Sequence, residues 1–369
     1  MGSIQINQVS KRFGQFTAVN ELSLEIKEGE FIALLGPSGC GKTTTMNMIA
    51  GIETPSEGQI LFDERDLSST RIQDRNIGFV FQNYAIFTHL SVYANLAFGL
   101  EVKKVPKVDI DRRVKKMAKR MSIDHRLDQP ASSLSVNEMQ KLAIGRSAIV
   151  EPRVFLLDEP LSNLDAGFRA YMRAELKLLQ REFGQTMIYV THDQIEAMSL
   201  ADRIAIISGG ELMQYGAPLQ IYNDPANRFV ANFLGSPRIN LIDGTLRQEG
   251  GQYSLIAESG AEFSLQGNVV EDFRSSYGIV RGTLGIRPQD IYFGERRSQN
   301  DIAVAGTVNL VEHVGAKRHA YFGMDGTMML VEDEQAILQV GQTLTFYLPV
   351  QKCLAFDLDS GRRLRRKPQ

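Results

Sequence analysis

The stretch Gly36-Pro37-Ser38-Gly39-Cys40-Gly41-Lys42-Thr43 decides the fold of this chain. It follows the pattern G-x-x-x-x-G-K-[ST] and lies between a continuous apolar run, Phe31 to Leu35, and a helix-forming stretch, Thr43 to Ile52. In that context the pattern predicts a P-loop, in which backbone N–H groups and a helix N-terminus surround phosphate oxygens. We expect Lys42 to reach the β- and γ-phosphates and the Thr43 hydroxyl to hold Mg²⁺. The alternative is a chance glycine-rich turn, and the position between a strand and a helix argues against it.

Two further polar clusters follow apolar, strand-like runs later in the chain. Val154 to Leu157 leads directly into Asp158 and Glu159, and Met187 to Val190 is followed closely by His192. Ligands of parallel sheets bind at the carboxyl ends of the strands, so these side chains are expected at the edge that carries the P-loop. Asp158 is predicted to support Mg²⁺, Glu159 to be the general base for an attacking water, and His192 to contact a γ-phosphate. On its own, the acidic pair could instead be a helix N-cap.

Length and composition predict an ordinary globular protein with more than one domain. The chain has 369 residues, which is beyond the size at which a single hydrophobic core stops growing. The formal charge of −2 and the 43% hydrophobic content argue against disorder and against general polyanion binding. Two cysteines do not make a disulfide framework and fit a reducing compartment. Because no apolar run approaches the ~18 residues of a spanning helix and the N-terminus lacks a signal-peptide pattern, we expect a soluble, intracellular protein.

The pattern of predicted secondary structure changes twice along the chain. Strands alternating with helices predict an α/β P-loop domain with a largely parallel sheet over residues 1–235. Within it, residues 83–150 are basic and helix-forming, which predicts a helical insertion. Short strand-like segments separated by Gly or Asp occupy residues 236–369 and predict a small all-β, OB-like barrel.

Taken together, these motifs resemble the ATP-binding-cassette (ABC) ATPases. The P-loop, Gln82, Leu134-Ser135, the Asp158–Glu159 pair, Ser162-Asn163-Leu164-Asp165 and His192 occur in that family's order. Near the C-terminus, Ile286-Arg287-Pro288-Gln289-Asp290 resembles the signature of the barrel appended to importer ATPases of the maltose-transport type, which take up carbohydrates, polyols and glycerol phosphate. The resemblance covers essentially the whole chain, and it implies an ATPase subunit that energises import of such a solute.

The resemblance also implies roles for individual residues. Phe13 would stack on adenine, although a core position at a strand end is the alternative. Gln82 would link Mg²⁺ and the attacking water to the helical insertion, and Asp165 would organise the contact between two ATPase subunits. Tyr84 to Phe87 and the neighbouring helices would form the groove that receives a permease helix, although simple core packing is the alternative for part of this stretch. The ATP-binding loop would comprise Gly36, Pro37, Ser38, Gly39, Cys40, Gly41, Lys42, Thr43 and Thr44.

The sequence departs from the family at the signature segment. The family usually has Leu-Ser-Gly-Gly-Gln, whereas this chain has Leu134-Ser135-Val136-Asn137-Glu138. In the family this segment closes over the γ-phosphate of ATP held by the other subunit. Ser135 remains for that contact, but Val136 adds bulk where glycine permits close approach and Glu138 brings a carboxylate toward the phosphate. Ser135 and Glu138 also fit the capping box S-x-x-E. We therefore expect a heterodimer with a second, non-identical ATPase that has an ordinary signature, and a homodimer is the alternative.

The resemblance implies the remaining partners and the location. Two membrane permease subunits and a separate solute-binding protein are expected, with this chain peripheral on the cytoplasmic face of the inner membrane. No nucleic acid is expected, because the strands of residues 236–369 lack a dense alternation of aromatic and basic residues. The alternatives are a soluble ABC ATPase that acts on nucleic acid and a barrel that binds a regulatory protein partner.

Overall fold

The computed structural model describes residues 2–67, 70–249, 252–265, 281–315, 317–324, 326–335 and 337–364. The chain forms two compact units, Met1–Ile221 and Tyr222–Gln369. The strands of the first unit are β1 (Ile4–Phe13), β2 (Phe16–Ile26), β3 (Phe31–Leu35), β4 (Glu57–Phe62), β5 (Arg65–Asp66), β6 (Ile77–Val80), β7 (Val154–Asp158), β8 (Thr186–Thr191), β9 (Arg203–Ser208) and β10 (Glu211–Gly216). Its helices are α1 (Lys42–Ala50), α2 (Val92–Val102), α3 (Lys107–Arg120), α4 (Val136–Ala148), α5 (Ala166–Phe183) and α6 (Gln194–Leu200), and α7 (Pro218–Asn223) runs across the division between the units.

A six-stranded sheet forms the centre of the first unit, with the strand order β10-β9-β3-β8-β7-β6. Strands β9, β3, β8, β7 and β6 pair in parallel, and only β10 at the edge is antiparallel. Every residue of β3 and β8 is buried, as expected of strands that are covered on both faces. This confirms the predicted α/β P-loop domain. Because β3, β7 and β8 are parallel, their carboxyl ends reach the same edge of the sheet, where the three sequence motifs meet.

A second, antiparallel sheet packs on the central one with the strand order β2-β1-β4-β5. Its apolar side chains, such as Ile4, Ile6 and Leu24, share one core with Ile32 and Ile188 of the central sheet. The alternating pattern of the first 30 residues predicts β1 and β2, whereas β4 and β5 have no clear pattern. The β1–β2 hairpin ends with Phe13 paired to Phe16.

Helices α2, α3 and α4 form the helical insertion between β6 and β7. They pack on one another through buried apolar side chains such as Leu96, Val114, Met117 and Leu142. Short 3₁₀ turns connect the elements at Ile72–Asp74, Asp124–Arg126 and Ala131–Ser133. Within the described ranges, none of the helices combines the length and the apolarity needed to span a bilayer.

Among its described residues, and apart from the end of α7, the second unit is all-β except for α8 (Arg228–Phe233) and two 3₁₀ turns, Pro288–Asp290 and Val350–Lys352. Its strands are β11 (Asn240–Glu249), β12 (Gln252–Ala257), β13 (Glu262–Leu265), β14 (Arg281–Ile286), β15 (Tyr292–Phe293), β16 (Ile302–Val314), β17 (Lys317–Met324), β18 (Thr327–Glu332), β19 (Thr343–Leu348) and β20 (Leu354–Asp357). They form two five-stranded antiparallel sheets, β13-β12-β11-β14-β20 and β15-β19-β16-β17-β18. Leu255, Phe263, Phe322 and Phe346 come from both sheets and lie in one core. The predicted OB-like all-β fold is confirmed.

Hydrogen bonds from Arg287, in the barrel signature, connect the barrel to the residues that precede it in the chain. Its side chain is buried and donates hydrogen bonds to the carbonyl oxygens of Tyr222 (3.0 Å), Ala231 (3.1 Å) and Leu234 (2.5 Å). Two of these bonds satisfy carbonyls near the end of α8, where the helix itself offers no partner, and the third satisfies a carbonyl of α7. The short helix therefore belongs to the second unit, which begins at Tyr222, upstream of the boundary at 235/236 expected from composition.

Candidate functional site

Two glycines of the P-loop occupy positions where a side chain does not fit. A Cβ at Gly36 would lie 2.1 Å from the carbonyl oxygen of Ile207 and 2.7 Å from the sulfur of Cys40. Gly41 has a φ of 102°, and a Cβ there would lie 2.4 Å from the carbonyl oxygen of Ala18. The loop therefore depends on glycine at both positions to turn tightly against the sheet before α1 begins at residue 42.

The other predicted loop residues follow this framework. Pro37, Ser38 and Gly39 are exposed, as is Thr43, and Thr44 is half-buried. Cys40 is buried, and its burial raises the pKa of the thiol despite the nearby Lys42 ammonium. A thiol with a raised pKa is a poor nucleophile at neutral pH, so Cys40 serves here as a small side chain that fills the loop.

Lys42 lies inside the curve of the P-loop. Its side chain is buried, and Nζ donates hydrogen bonds to the carbonyl oxygens of Gly36 and Pro37, both at 2.8 Å. A buried ammonium requires such polar partners, because desolvation strongly disfavours an isolated charge. The loop thus holds a positive charge next to the N-terminus of α1, which is an arrangement suited to binding an anion.

Thr43 and Asp158 bring two oxygen atoms together across the sheet edge. The Thr43 hydroxyl donates to Oδ1 of Asp158 at 3.3 Å. Burial raises the pKa of Asp158, and the neighbouring charge of Glu159 acts in the same direction, against the hydrogen bond from Thr43 and the charge of Lys42. A carboxylate held under these conditions gains from a nearby cation, since an opposite charge offsets its desolvation.

The oxygen atoms of Thr43 and Asp158 fit Mg²⁺ of the kind that bridges to nucleotide phosphates. Magnesium prefers oxygen ligands and is typically bound by one or two carboxylates together with substrate phosphates and water. In the part of the chain that the structure describes, no group of three or more His, Cys, Asp and Glu side chains is placed to hold a metal ion. The protein therefore supplies part of a coordination shell, and phosphate oxygens held by the P-loop would supply the rest.

Glu159 and His192 face each other at the ends of β7 and β8. Nδ1 of His192 lies 3.2 Å from Oε1 of Glu159, within reach of a hydrogen bond donated by the imidazole. The Glu159 backbone N–H donates to the carbonyl of Val190 at 3.0 Å. Glu159 has a φ of 43°, a left-handed conformation that a non-glycine residue adopts at a cost of about 1–3 kcal/mol. Strained backbone of this type is common at functional sites, and here it places a carboxylate toward the P-loop edge.

A buried network supports the turn that carries His192, and sequence reasoning missed its central residue, Glu196. This carboxylate is buried and accepts hydrogen bonds from Tyr189 Oη (2.8 Å) and Thr191 Oγ1 (2.7 Å). Thr191 Oγ1 in turn accepts from the Asp193 backbone at 2.9 Å, so hydrogen bonds fix the residues on both sides of His192. The available signal was the acidic residue four positions after the histidine, which reads equally well as a helix surface residue.

Gln82 lines an open cleft at the same edge of the sheet. The cleft is bounded by Phe81, Gln82, Asn83, Asp158 and Asn163. Gln82 is exposed there, so its amide is accessible beside the Asp158 carboxylate. The predicted role of Gln82, to link Mg²⁺ and the attacking water to the helical insertion, remains a prediction.

The segment after Gln82 is held in a strained form by the helical insertion. Tyr84 and Ala85 have φ values of 67° and 48°, so two consecutive non-glycine residues are left-handed. Arg146 of α4 donates to the Ala85 carbonyl at 2.5 Å, and its guanidinium lies 4.2 Å from the centroid of the Phe87 ring. These contacts stabilise a conformation that the sequence would otherwise disfavour.

Exposed aromatic side chains surround this segment. Phe81 and Phe98 are 38% and 41% exposed, and Phe98 meets Phe87 edge to face at 4.9 Å between ring centroids. The buried Asn95 side chain bonds both the N–H and the carbonyl of Phe87, at 2.9 Å each. The stretch predicted to be either groove or core is thus a rigidly supported surface with accessible rings.

Phe13 projects from the end of the β1–β2 hairpin. Its side chain is 47% exposed, which excludes the alternative of a core residue. The Lys11 ammonium lies 4.9 Å from the centroid of its ring, and the paired Phe16 is 63% exposed. An accessible ring is available for stacking, as the adenine prediction requires, and the exposure of Phe16 was not anticipated.

Ser135 and Glu138 form the capping box that the sequence suggests. Ser135 Oγ accepts from the Glu138 backbone at 3.3 Å, and Glu138 Oε2 accepts from both N–H (2.9 Å) and Oγ (2.8 Å) of Ser135. Arg126 Nε donates to the other oxygen of Glu138 at 2.9 Å. Burial acts to raise the pKa of Glu138, but the bonds from Ser135 and Arg126 outweigh it and hold the pKa below its usual value. The carboxylate therefore has partners within its own chain.

Asp165 is linked to the altered signature segment within the same chain. It is the N-cap of α5 and accepts a hydrogen bond from the Phe168 backbone at 2.9 Å. That bond is the main cause of its lowered pKa, and a hydrogen bond from the Asn137 side chain contributes as well. Lys141, one turn further along α4, lies over the ring of Phe168 at 5.4 Å. Asn137 stands where the usual signature has glycine, so its effect on Asp165 is one that the usual signature could not supply.

Comparison with known proteins agrees with this arrangement along the entire chain. A family model described as ABC transporter matches residues 19–162, and one described as TOBE domain matches residues 284–356. The trehalose/maltose import ATP-binding protein MalK of Thermococcus litoralis is 40% identical over 99% of this chain and 100% of its own length. The chain belongs to the ATP-binding subunits of ABC transporters. Membership of this ABC ATPase family makes the protein an ATP-binding ATPase.

Two further proteins extend the comparison. The xylose/arabinose import ATP-binding protein XacK of Haloferax volcanii is 40% identical over 100% of this chain and 96% of its own length. Among solved structures, the ATP-binding cassette MJ0796, in a dimeric post-hydrolysis state bound to ADP and Pi, has a TM-score of 0.54 and 28% identity. The matched region covers 58% of this chain and 98% of the chain of MJ0796. The structural similarity therefore concerns the ATPase unit, and the sequence similarity extends through the second unit.

Proposed function

We propose that this ABC ATPase energises the import of a carbohydrate, polyol or glycerol-type solute. Relatives with 40% identity over nearly the full length are named for import of trehalose and maltose and of xylose and arabinose, which supports a sugar as the first candidate. The observation that carries the proposal is the meeting of Lys42, Asp158, Glu159 and His192 at one sheet edge. That edge combines an anion-binding loop with a base positioned for hydrolysis.

Each of these residues has a separate role in the proposed hydrolysis of ATP. Backbone N–H groups of the P-loop and the Lys42 ammonium bind the phosphates, and Thr43 and Asp158 would hold Mg²⁺, which would neutralise phosphate charge. Glu159 accepts the proton of the attacking water, since its carboxylate faces the same space. His192 donates a hydrogen bond that keeps the Glu159 side chain in place and can turn toward the γ-phosphate.

The exposed aromatic surface around Phe87 and Phe98 is the proposed docking site for a permease helix. A permease must supply the membrane pathway, and a separate solute-binding protein would deliver the solute. Because the surface directly follows Gln82 in the chain, a movement of Gln82 at the metal site would also move the surface where the permease docks. The chain would then be peripheral on the cytoplasmic face of the inner membrane.

The assembly is proposed to contain two ATPase subunits, with a heterodimer as the specific expectation. Val136, which is 47% exposed, and the capping box of Ser135 give a poor surface for another subunit's γ-phosphate. A partner with an ordinary signature would complete the site formed by this chain's P-loop. A homodimer would instead contain two weakened sites, and measurement of subunit composition in the purified transporter decides between them.

Two variants of the purified transporter complex test the catalytic assignment. Lys42→Ala is expected to abolish ATP binding, whereas Glu159→Gln should retain binding and lose hydrolysis by at least about a hundredfold, the usual contribution of a general base. Lys27→Ala changes an exposed lysine remote from the loop and is the matched control. Wild-type turnover in Glu159→Gln would refute the assigned role, and uptake of labelled maltose, xylose, a polyol and glycerol phosphate would identify the solute.

A further inference from the structure

The helical insertion concentrates positive charge that the ATPase site does not use. Residues 103–120 contain nine Lys or Arg and two Asp, in a chain whose formal net charge is −2. The stretch covers α3 and the connection that precedes it. So strong a local excess in a nearly neutral protein produces a positive field on one part of the surface.

The two faces of α3 differ sharply. Ile110, Val114 and Met117 are buried at helical spacing. The opposite side, at positions i, i+4, i+7 and i+11, contains Val108, Arg112, Lys115 and Lys119, all exposed. The apolar face is therefore occupied by packing within the insertion, and the basic side faces solvent.

Carboxylates neutralise only part of this charge. Asp109 pairs with Arg112 and Asp111 pairs with Lys115, each at 2.8 Å. Glu151 pairs with Arg113 at 3.5 Å, and Glu182 pairs with Lys116 and Arg120. Lys104, Lys107 and Lys119 have no carboxylate within 4.0 Å among the residues that the structure describes. All three are exposed, so their charges are available to an external anion.

Exposed aliphatic side chains border the same lysines. Val102 ends α2 and is 67% exposed, and Val108 in the first turn of α3 is 83% exposed. Only the connection 103–106 separates the two helices, so both valines lie within five residues of Lys104 and Lys107 along the chain. Lysines next to exposed aliphatic groups suit the boundary between phospholipid headgroups and acyl chains, where the chains bury apolar groups and the headgroups attract the charge.

We propose that Val102, Lys104, Lys107, Val108, Arg112, Lys115 and Lys119, here termed the basic face, bind the anionic headgroups of a membrane. The inference extends the proposed peripheral placement: the ATPase would contact lipid directly as well as through its permease. Nucleic acid is the less favoured polyanion, because residues 102–120 contain no aromatic side chain for base stacking. The two exposed valines, by contrast, suit a surface with an apolar layer.

The test uses the full chain and vesicle flotation. We expect binding to vesicles that contain phosphatidylglycerol, weak binding to vesicles of phosphatidylcholine alone, and loss of binding as salt screens the charges. The variant Lys104→Gln/Lys107→Gln/Lys119→Gln should reduce affinity for the anionic vesicles by on the order of a hundredfold, from the typical contribution of each basic residue near such a surface. The control Lys27→Gln/Arg65→Gln/Arg71→Gln has the same change in net charge at other exposed positions and should bind as the wild type does.

A second pair of measurements separates lipid from other anions. Val102→Ser/Val108→Ser should weaken vesicle binding without affecting weak, salt-sensitive binding to a DNA duplex. The proposal is overturned if the wild type ignores anionic vesicles at low salt, if both triple variants lose binding equally, or if DNA competes fully with vesicles. ATP hydrolysis by the purified transporter complex is a separate measurement: vesicle binding by the chain, combined with a complex that has no ATPase activity, would refute the proposed function and leave this inference intact.

Discussion

The hydrogen bonds around Glu138 lead to a quantitative prediction for the altered signature segment. Glu138→Gln removes the negative charge and keeps an amide oxygen that can still accept the Ser135 backbone N–H, as glutamine does in other capping boxes. It takes a charged acceptor away from Ser135 Oγ, at 2.8 Å, and from Arg126 Nε, at 2.9 Å. The Ser135 hydroxyl is then less committed to its own helix and more available to a phosphate oxygen of the other subunit's nucleotide.

Two opposite effects should follow from this substitution. A hydrogen bond to a charged group contributes about 1.5–3 kcal/mol and a neutral one about 1, so the free energy of unfolding should fall by roughly 1 kcal/mol. The wild-type Ser135 hydroxyl must give up its hydrogen bond to the Glu138 carboxylate before it can bind the phosphate. In Glu138→Gln the bond given up is weaker by the same amount of free energy. Since about 1.4 kcal/mol corresponds to tenfold in rate, turnover at the site completed by this segment should rise by roughly five- to tenfold. Removal of a like charge near the triphosphate acts in the same direction.

The pH dependence provides an internal check on the stability effect. Hydrogen bonds hold the pKa of Glu138 below its usual value, so its stabilising contribution is present above the ordinary carboxylate pKa and is lost as pH falls through the lowered value. The gap in unfolding free energy between the wild type and Glu138→Gln should therefore close at acid pH. Thermal or denaturant unfolding at a series of pH values measures it.

The assay is steady-state ATP hydrolysis over a range of protein concentrations, with thermal unfolding as the check on folding. Glu151→Gln, which removes one carboxylate from an exposed ion pair with Arg113, is the matched control and should change neither quantity measurably. Unchanged or lower turnover in a folded Glu138→Gln variant would refute the reasoning. Replacement of all three residues, Val136-Asn137-Glu138, by Gly-Gly-Gln should raise turnover further, and rapid cooperative hydrolysis by the wild-type chain alone would contradict the heterodimer.

Three further predictions concern the nucleotide site. Gly36→Ala should abolish binding of labelled ATP, because its Cβ would lie 2.1 Å from the Ile207 carbonyl oxygen, and retention of binding would contradict the described loop. Glu196→Gln should lower kcat by about ten- to a hundredfold with little change in KM, since it loosens the turn before His192, and an effect on KM alone would assign Glu196 to binding instead. Because burial raises the pKa of Asp158, the Mg²⁺ concentration for half-maximal activity should rise as pH falls through that raised value, and Mg²⁺ titrations across pH measure it.

The sequence predicts correctly that the P-loop, Asp158 and His192 lie at one edge of the sheet, because the signals are local. β3 is a continuous apolar run, β8 contains the run Met187 to Val190, and the loop pattern GxxxxGKT directly follows β3. Polar side chains placed at the ends of parallel strands must share one edge, so Asp158 and His192 could be located together without coordinates. The capping box of Ser135 and Glu138 is likewise a pattern within four residues.

Sequence analysis missed contacts between residues that are far apart in the chain. It also missed strands whose residues have no alternating apolar pattern. Arg126 reaches Glu138 from a 3₁₀ turn, and Arg146 reaches Ala85 across 61 positions. The periodicity of apolar residues in the sequence does not indicate which distant side chains pair. Strand β4 begins Glu-Gly-Gln and has exposed residues over half its length, so its pairing with β1 becomes visible only when the hairpin is folded. Tertiary pairing, rather than intrinsic propensity, decides strands of this type.

Helix α4 makes two distant parts of the ATPase unit mutually dependent. Ser135 caps its first turn and Arg146 lies eleven residues later, about 16 Å along the axis. An adjustment that advances the serine by a fraction of a turn also displaces the guanidinium from the left-handed backbone at Ala85. We therefore expect sequence variation at the first turn to be matched by compensating variation around residues 84–87, and we expect a subunit assembled from unrelated halves to lose the contact between Arg146 and Ala85.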